Sequence, residues 1–495
     1  MGFRVDATFL RFITMAALTS RRVMELMVDA GLQPIELERH ASATEIWSTK
    51  VKRLRVPDLL CVKTGQRVEV RARSELKIRM TDAPGCETRR WFTGLRPDDL
   101  VAFVHCPMDR ARLVPAHGAE FFRVRDLQAV PESATKLEPP VSTSSNAECF
   151  RTWPSIVPTQ SGLVTGVTAD TLHTLLDDGK EQAYALDGMT PYVQPGERFS
   201  ARCQFIAGLP ERASLDEVSG QGWDPRLLLE GDLLDQYVAA KALETVGWSK
   251  DVALLERLYE CAGDPRVSLE SAGSMAKLGA RDGLRRLLQE VRFPRIDYLR
   301  MEAVLLLSEL NDTPLRNEAA AALAEIATEV GFAGQEIRQA AIWGLGRTGL
   351  GDYSRLVPLL DAQDKDERMY AVVAMGEELP VAVVDRLVGL LGSDATSQRQ
   401  RASCLHVLKT LAHPHRAIIG LSALAKGGSA LAKAWAKAAL GSMPPERLQG
   451  ALEDPQLLSD ILALQLLSEH NNWTATEGAR DALSFMRKQT VSEAS

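Results

Sequence analysis

Arg338-Gln-Ala-Ala-Ile-Trp-Gly-Leu-Gly346 and Arg368-Met-Tyr-Ala-Val-Val-Ala-Met-Gly376 are two copies of one pattern, and their spacing decides the fold of half the chain. In each, a first position is followed by Ala at +3, an apolar residue at +7 and Gly at +8. An earlier copy, Arg300-Met-Glu-Ala-Val-Leu-Leu-Leu-Ser308, keeps the frame with Ser at +8. Looser copies begin at Ala239, Ser271, Arg401, Lys433 and Asp460, so successive starts lie 32, 29, 38, 30, 33, 32 and 27 residues apart. Positions 0, +3 and +7 fall on one helical face, and a small residue at +3 lets a neighbouring helix approach closely. Gly or Ser at +8 stands near the helix end, where left-handed backbone geometry is often needed. A second amphipathic stretch follows the motif, as at 354–360 and 382–391. Two helices per period of about 30 residues predict an α-solenoid.

On these copies, the region 229–486 resembles HEAT repeats, particularly the short bacterial variety also found in phycobilin-lyase-like proteins. The resemblance implies a curved surface that binds a protein partner on its inner face and carries no chemistry of its own. No cysteine recurs within the repeats, so nothing points to a bound phycobilin.

Upstream, residues 7–30 read as one amphipathic helix that carries Glu25 and is ended by Gly31. A strand over 54–63 contains Pro57-Asp58, and Thr64-Gly65-Gln66 forms a turn. A long alternation follows. Val68, Val70, Ala72, Ser74, Leu76, Ile78 and Met80 point one way; Glu69, Arg71, Arg73, Glu75, Lys77 and Arg79 point the other. Leu100–Cys106 and Phe121–Val124 read as further strands. The hairpin would bring Asp58 and Glu69 to the same end of paired strands, with Arg71 two residues beyond Glu69 on its face. Two converging carboxylates can hold Mg²⁺ through oxygen ligands, and the metal can polarise a phosphate and acidify its bound water.

Pro57-Asp58 followed by Glu69-Val70-Arg71, in helix–strand–turn–strand order, resembles the PD-(D/E)XK nuclease superfamily over about residues 1–128. The resemblance implies Asp58 and Glu69 as metal ligands, Glu25 as an auxiliary ligand or water-orienting group, and Arg71 or Arg73 as the phosphate-stabilising cation. It departs from the family at Arg71, where a lysine is usual. Arginine stays protonated and spreads its charge over a planar fork, so it does not simply replace lysine. Arg73, or Lys77 within Glu75-Leu76-Lys77, offers a substitute. Three readings stand open: an active Mg²⁺-dependent nuclease, an inactive nuclease fold that still binds nucleic acid or protein, and an unrelated α+β domain with a solvent-facing ion ladder.

Charge sharpens the question. The chain of 495 residues has 58 Lys+Arg against 65 Asp+Glu, a net charge of −7. Residues 1–130 hold 22 against 16, a net of +6, and the remaining 365 hold 36 against 49, a net of −13. Lys50, Lys52, Arg53, Arg55, Lys77 and Arg79 are the candidate nucleic-acid contacts, since such surfaces attract phosphate backbones by releasing counterions. A solvated face balanced by acidic neighbours gives the same composition.

Seven widely spaced cysteines with no C-x-x-C pair read as reduced thiols in a cytoplasmic protein. No apolar run reaches the roughly 18 residues of a membrane span. Residues 131–147 read as a linker. Residues 148–228 read as a small β-containing module, with strands near 163–168, 182–186 and 199–207 and a helix near 169–178 that carries His173. Trp223 and Trp248 are expected to pack where this module meets the first repeat, and 487–495 is a polar tail. The expected fold is therefore multidomain: an α/β nuclease-like N-terminal domain (1–130), the middle module and an all-α HEAT-like solenoid. The expected function is nucleic-acid binding, with Mg²⁺-dependent phosphodiester cleavage positioned by the scaffold. The alternative is an inactive adaptor whose solenoid binds a protein while the basic domain docks nucleic acid or an acidic protein.

Overall fold

The computed structural model describes residues 7–38, 54–109, 112–138, 149–218, 222–328, 334–349 and 353–470. Lys50, Lys52, Arg53 and the 487–495 tail lie outside them. Chain contacts divide the protein into two compact units, Met1–Gly283 and Leu284–Ser495.

The first unit starts with helix α1 (Ala7–Asp29), which stops where Gly31 takes a φ of 77°. Strands β1 (Pro34–Glu36), β2 (Leu59–Cys61), β3 (Arg67–Arg73), β4 (Arg79–Asp82) and β5 (Leu100–His105) follow. A small ribbon, β6 (Met108–Asp109) and β7 (Arg112–Leu113), precedes β8 (Glu120–Arg123) and helix α2 (Val124–Ala129). Next come β9 (Lys136–Glu138), β10 (Cys149–Thr152), β11 (Ser155–Ile156), β12 (Gly162–Val167), β13 (Thr171–Leu176) and β14 (Glu181–Ala185). Then follow β15 (Thr190–Pro191), β16 (Arg198–Phe199), β17 (Ala207–Gly208), β18 (Arg212–Ala213) and helices α3 (Leu233–Val246), α4 (Val252–Cys261) and α5 (Pro265–Lys277). Helix α6 (Arg281–Arg292) spans the boundary between the units.

The main sheet runs β1-β2-β3-β5-β8-β18, antiparallel except for the parallel pair β3–β5. Val23 and Met27 of α1 pack against Val68, Val70, Leu100 and Ala102 on one face. Val101, Phe103 and Phe122 build the other face with Trp91 and Trp153.

The single alternation read over 68–80 is two strands in two sheets. β3 pairs with β5 only as far as Arg73 opposite His105, and Pro107 then ends the partner strand. The chain turns at Ser74-Glu75, and β4 finds a new neighbour in β10. As a result Val68 and Val70 belong to the α1 side, whereas Leu76, Ile78 and Met80 belong to the opposite core. The strand expected over 54–63 shortens to β2 because Pro57 precedes it without a donor for the ladder.

The stretch read as a linker contributes β9, which pairs with β10. The expected helix near 169–178 is strand β13. Leu172, Thr174 and Leu176 are buried and alternate with exposed His173 and Leu175, and Gly179 closes the hairpin with a φ of 83°. Period two outweighs the local Leu content there. Between 199 and 207 only the two ends are extended, as β16 and β17. Trp223 packs over the β2–β3 turn, where a Cβ on Gly65 would run into its indole. Trp248 is 68% exposed, so it makes no such core.

The described C-terminal part is all-helical, fifteen helices from α3 onward. In the second unit these are α7 (Asp297–Ser308), α8 (Arg316–Thr328), α9 (Gln335–Arg347), α10 (Tyr353–Leu359), α11 (Lys365–Met375) and α12 (Val381–Gly392). They continue with α13 (Gln398–Thr410), α14 (His415–Gly427), α15 (Ala430–Gly441), α16 (Pro445–Gln449) and α17 (Pro455–His470). Each motif-bearing helix from α7 to α15 touches the next motif-bearing helix, and each also packs on its intervening partner, as α8 does on α7 and α9.

The +8 residue has two roles, not one. Gly376 ends α11 with a φ of 74°, as the pattern suggested. Gly346 instead lies inside α9, where an added Cβ would stand 2.5 Å from Ala374 Cα of α11. There the glycine permits the close approach of two helices. The arginine at position 0 ties neighbouring helices within the second unit. Arg338 pairs with Glu367 at 3.1 Å, and Arg368 donates to Ala362 O at 2.7 Å.

Candidate functional site

The β2–β3 hairpin positions the carboxylates. Gly65 adopts a φ of 74° in its turn, and Cys61 N donates to Gln66 O at 2.8 Å. Leu59 then pairs with Val68, which places Asp58 beside Glu69 on the same face, away from α1. Both are buried, each 8% exposed. Asp58 Oδ2 accepts a 2.6 Å hydrogen bond from Val70 N, and the Asp58 backbone N–H donates to Glu69. The two acids therefore latch the hairpin edge to itself.

Arg71 forms an ion pair with Glu69. Burial pushes the Glu69 carboxyl up to about 7 against the pull of the Arg71 guanidinium, and the negative charges of Asp58 and Asp99 add to the rise. Asp99 belongs to a second buried pair, with Arg67 Nε at 2.9 Å, and also accepts from Arg96 N at 2.7 Å. Arg73, partly buried, follows on the same strand. Its guanidinium donates to Arg79 O, and burial together with the like charges of Arg71 and Arg79 brings it down to about 10. It remains a cation at neutral pH.

The structure thus brings Asp58, Glu69 and Arg71 together. It does not bring Glu25 to them. Helix α1 covers the opposite face, and Glu25 is exposed and paired with Arg22 at 2.8 Å. Lys77 is held by Glu75 at 3.0 Å, away from the pair. Among the described residues no group of three or more His, Cys, Asp and Glu side chains could hold a metal ion.

Asp99 with Arg67 escaped the sequence reading. Its trace is Arg96-Pro97-Asp98-Asp99, which reads as a turn before β5 but also supplies the counter-ion of Arg67 on the neighbouring β3. A second unforeseen feature is α3. Its Val238 and Ala242 pack on Leu37, Leu60 and Val62, so the sheet face shared by Leu60 and the two carboxylates is covered at this edge by the first repeat helix. Arg96 also pairs with Asp235 of α3.

The basic charge of the N-terminal region is answered inside the same unit. Residues 131–283 hold 13 Lys+Arg against 23 Asp+Glu, a net of −10, while 284–495 hold 23 against 26, a net of only −3. The pairs are explicit. Arg79 meets Glu138 and lies 4.1 Å over the Phe150 ring, Arg90 meets Glu132 at 2.7 Å, and Arg123 meets Glu217 at 2.8 Å. Of the described candidate nucleic-acid contacts, Arg55 is exposed, whereas Lys77 and Arg79 are in ion pairs.

No helix among the described residues is long and apolar enough to cross a membrane. No family model matches the chain, and no curated protein matches it. Similar solved structures include the complex of CpcE and CpcF of phycocyanin lyase from Nostoc sp. PCC7120, at 21% identity and a TM-score of 0.25, covering 52% of this chain and 98% of that one. Human deoxyhypusine hydroxylase in complex with glycerol is similar at 18% identity and a TM-score of 0.21, covering 50% of this chain and 93% of that one. At such low scores the helical-repeat architecture rests on the chain's own helix pairs.

Proposed function

We propose that the chain is a non-catalytic scaffold, in which the helical repeats hold a protein partner and the N-terminal domain docks nucleic acid or an acidic protein without cleaving it. The observation that carries this reading is the Arg71–Glu69 ion pair. A guanidinium sits where a nuclease would need a free carboxylate and a lysine, and Asp58 spends Oδ2 on the Val70 amide. Met369 and Val373, one turn apart on α11 and 45% and 59% exposed, offer an apolar strip to a partner.

The test is direct. The full chain is incubated with plasmid, single-stranded DNA and RNA in Mg²⁺ or Mn²⁺. No cleavage is expected, and binding that weakens steeply with salt fits the docking role. Cleavage that disappears in Asp58→Ala overturns the proposal. For the repeats, a partner that co-purifies from the source cells is expected to be lost in Met369→Glu. Retention of that partner would remove α11 from the interface.

A second reading, the Mg²⁺-dependent nuclease, is favoured by one observation: Asp58 and Glu69 are adjacent on one face, where burial first and the Asp58 charge second raise Glu69. The donor set fits the ion poorly. Mg²⁺ demands near-octahedral oxygen coordination, and here one carboxylate is latched to backbone and the other to Arg71. Activity gained in Arg71→Lys would favour this reading over the scaffold.

A further inference from the structure

A cleft in the first unit, away from the Asp58–Glu69 pair, encloses about 220 Å³. Arg90, Trp91, Phe92, Glu132, Arg151 and Trp153 line it. Trp91 stands edge-on to Trp153 with ring centroids 5.1 Å apart, and Trp153 Nε1 donates to Leu127 O at 2.9 Å, so the aromatic wall is fixed. Beneath it, fully buried Asp82 accepts from Arg151 Nε at 2.7 Å and from Trp91 N at 3.2 Å.

The charges are unequal in permanence. Asp82 is one buried anion facing two guanidinium cations. The second negative charge comes from Glu132, whose Oε1 lies 2.7 Å from Arg90 and 3.5 Å from Arg151. Its side chain is 66% exposed and sits on a three-residue 3₁₀ turn, Glu132–Ala134. Exposed partners exchange readily with solvent and ions. Arg90 Nε lies 3.3 Å from Asp82 Oδ1 yet makes no hydrogen bond, so a buried donor in the cleft has no acceptor among the described residues. Guanidinium forks match a carboxylate in two hydrogen bonds, and aromatic rings pack edge-on or offset against a flat apolar body. The volume is below the roughly 300–1,000 Å³ of drug-sized pockets, which suits a single-ring ligand.

We propose that this cleft is a binding site for a small organic carboxylate with an aromatic body, and that Glu132 is its internal competitor, displaced from Arg90 and Arg151 when the ligand enters. The site is independent of the scaffold reading, because it uses neither the hairpin carboxylates nor the repeats.

Phenylacetate is the probe, phenylacetamide its uncharged control, and the full chain the protein. Titrations are followed by calorimetry and by tryptophan fluorescence, to which Trp91 and Trp153 contribute. Saturable millimolar binding of phenylacetate is expected, with the amide at least tenfold weaker. Glu132→Gln should tighten phenylacetate about tenfold, and Arg90→Lys should weaken it about tenfold, since a single ammonium cannot grip both oxygens. Equal binding of acid and amide, or no saturable binding to Glu132→Gln, would overturn the proposal. Because Glu132 is exposed, its variant tests the site even where Arg90→Lys fails to fold, as thermal unfolding would reveal.

Discussion

The hairpin around Asp58 and the helix pair α9–α11 both depend on close approach, but different groups do the approaching. In the hairpin, buried charge is pressed together: Asp58 against Glu69, Arg71 onto Glu69, Arg67 onto Asp99. In the helix pair, absence of a side chain lets backbones meet, with Gly346 facing Ala374. The contrast teaches that similar burial can rest on opposite chemistries. One is sensitive to pH and to the loss of a single counter-ion, and the other only to volume.

Removal of a counter-ion should give the largest effect. Asp99→Ala leaves Arg67 buried beside a lost partner, and both side chains are only 6% exposed. A destabilisation of about 3–5 kcal/mol is expected in denaturant titration. A loss below about 1 kcal/mol would mean that water reaches the pair. Next comes volume. Gly346→Val should cost about 1–3 kcal/mol, because the new Cβ would begin 2.5 Å from Ala374 Cα. Calorimetry of the full chain should show the change in the transition belonging to the second unit, and the comparison breaks if the sheet transition moves instead.

The pH test probes the charged side alone. The folded pKa of Glu69 lies above its ordinary value of 4.5, at about 7. The folded state therefore holds this proton more tightly than the unfolded chain does. Its contribution is favourable at low pH and is lost as pH rises from about 4.5 through about 7. Glu69→Gln removes the cost, so at pH 8 the variant should be more stable than the parent by about 2 kcal/mol, at 1.36 kcal/mol per unit with a discount for coupling to Asp58. Near pH 4 the two should unfold together. An equal gain at both pH values would show that the amide acts by packing and not by protonation. The smallest effect belongs to Arg416→Ala. This residue pairs with Asp385 at 2.7 Å on the surface of α14 and α12. No resolvable shift of the urea midpoint is expected, because water and salt screen exposed pairs.

The repeats were legible because each copy is local. Positions 0, +3 and +7 of one helix announce its buried face, and the 30-residue recurrence announces the partner. The candidate site was legible only in part. Proximity of Asp58 and Glu69 followed from hairpin register, a local property. Their environment did not follow. Asp99 arrives from the turn before β5, 30 residues beyond Glu69, and the covering helix α3 from more than 160 residues beyond. The expected helix at 169–178 failed because Leu172, Thr174 and Leu176 bury one side of a strand, a period hidden by the apolar Leu175 between them.

Charge followed the same division. The sequence by itself determined the helical repeat, the hairpin and the presence of a basic N-terminal region, since each depends on neighbours within about 30 residues. Only the tertiary structure decided that Arg79, Arg90 and Arg123 spend their charge on Glu138, Glu132 and Glu217, and that Arg71 spends its own on Glu69. The reason is physical. Periodicity reports which side of an element is apolar, whereas the state of a charge depends on whichever distant groups the fold brings within a few ångströms and on how much water it excludes there.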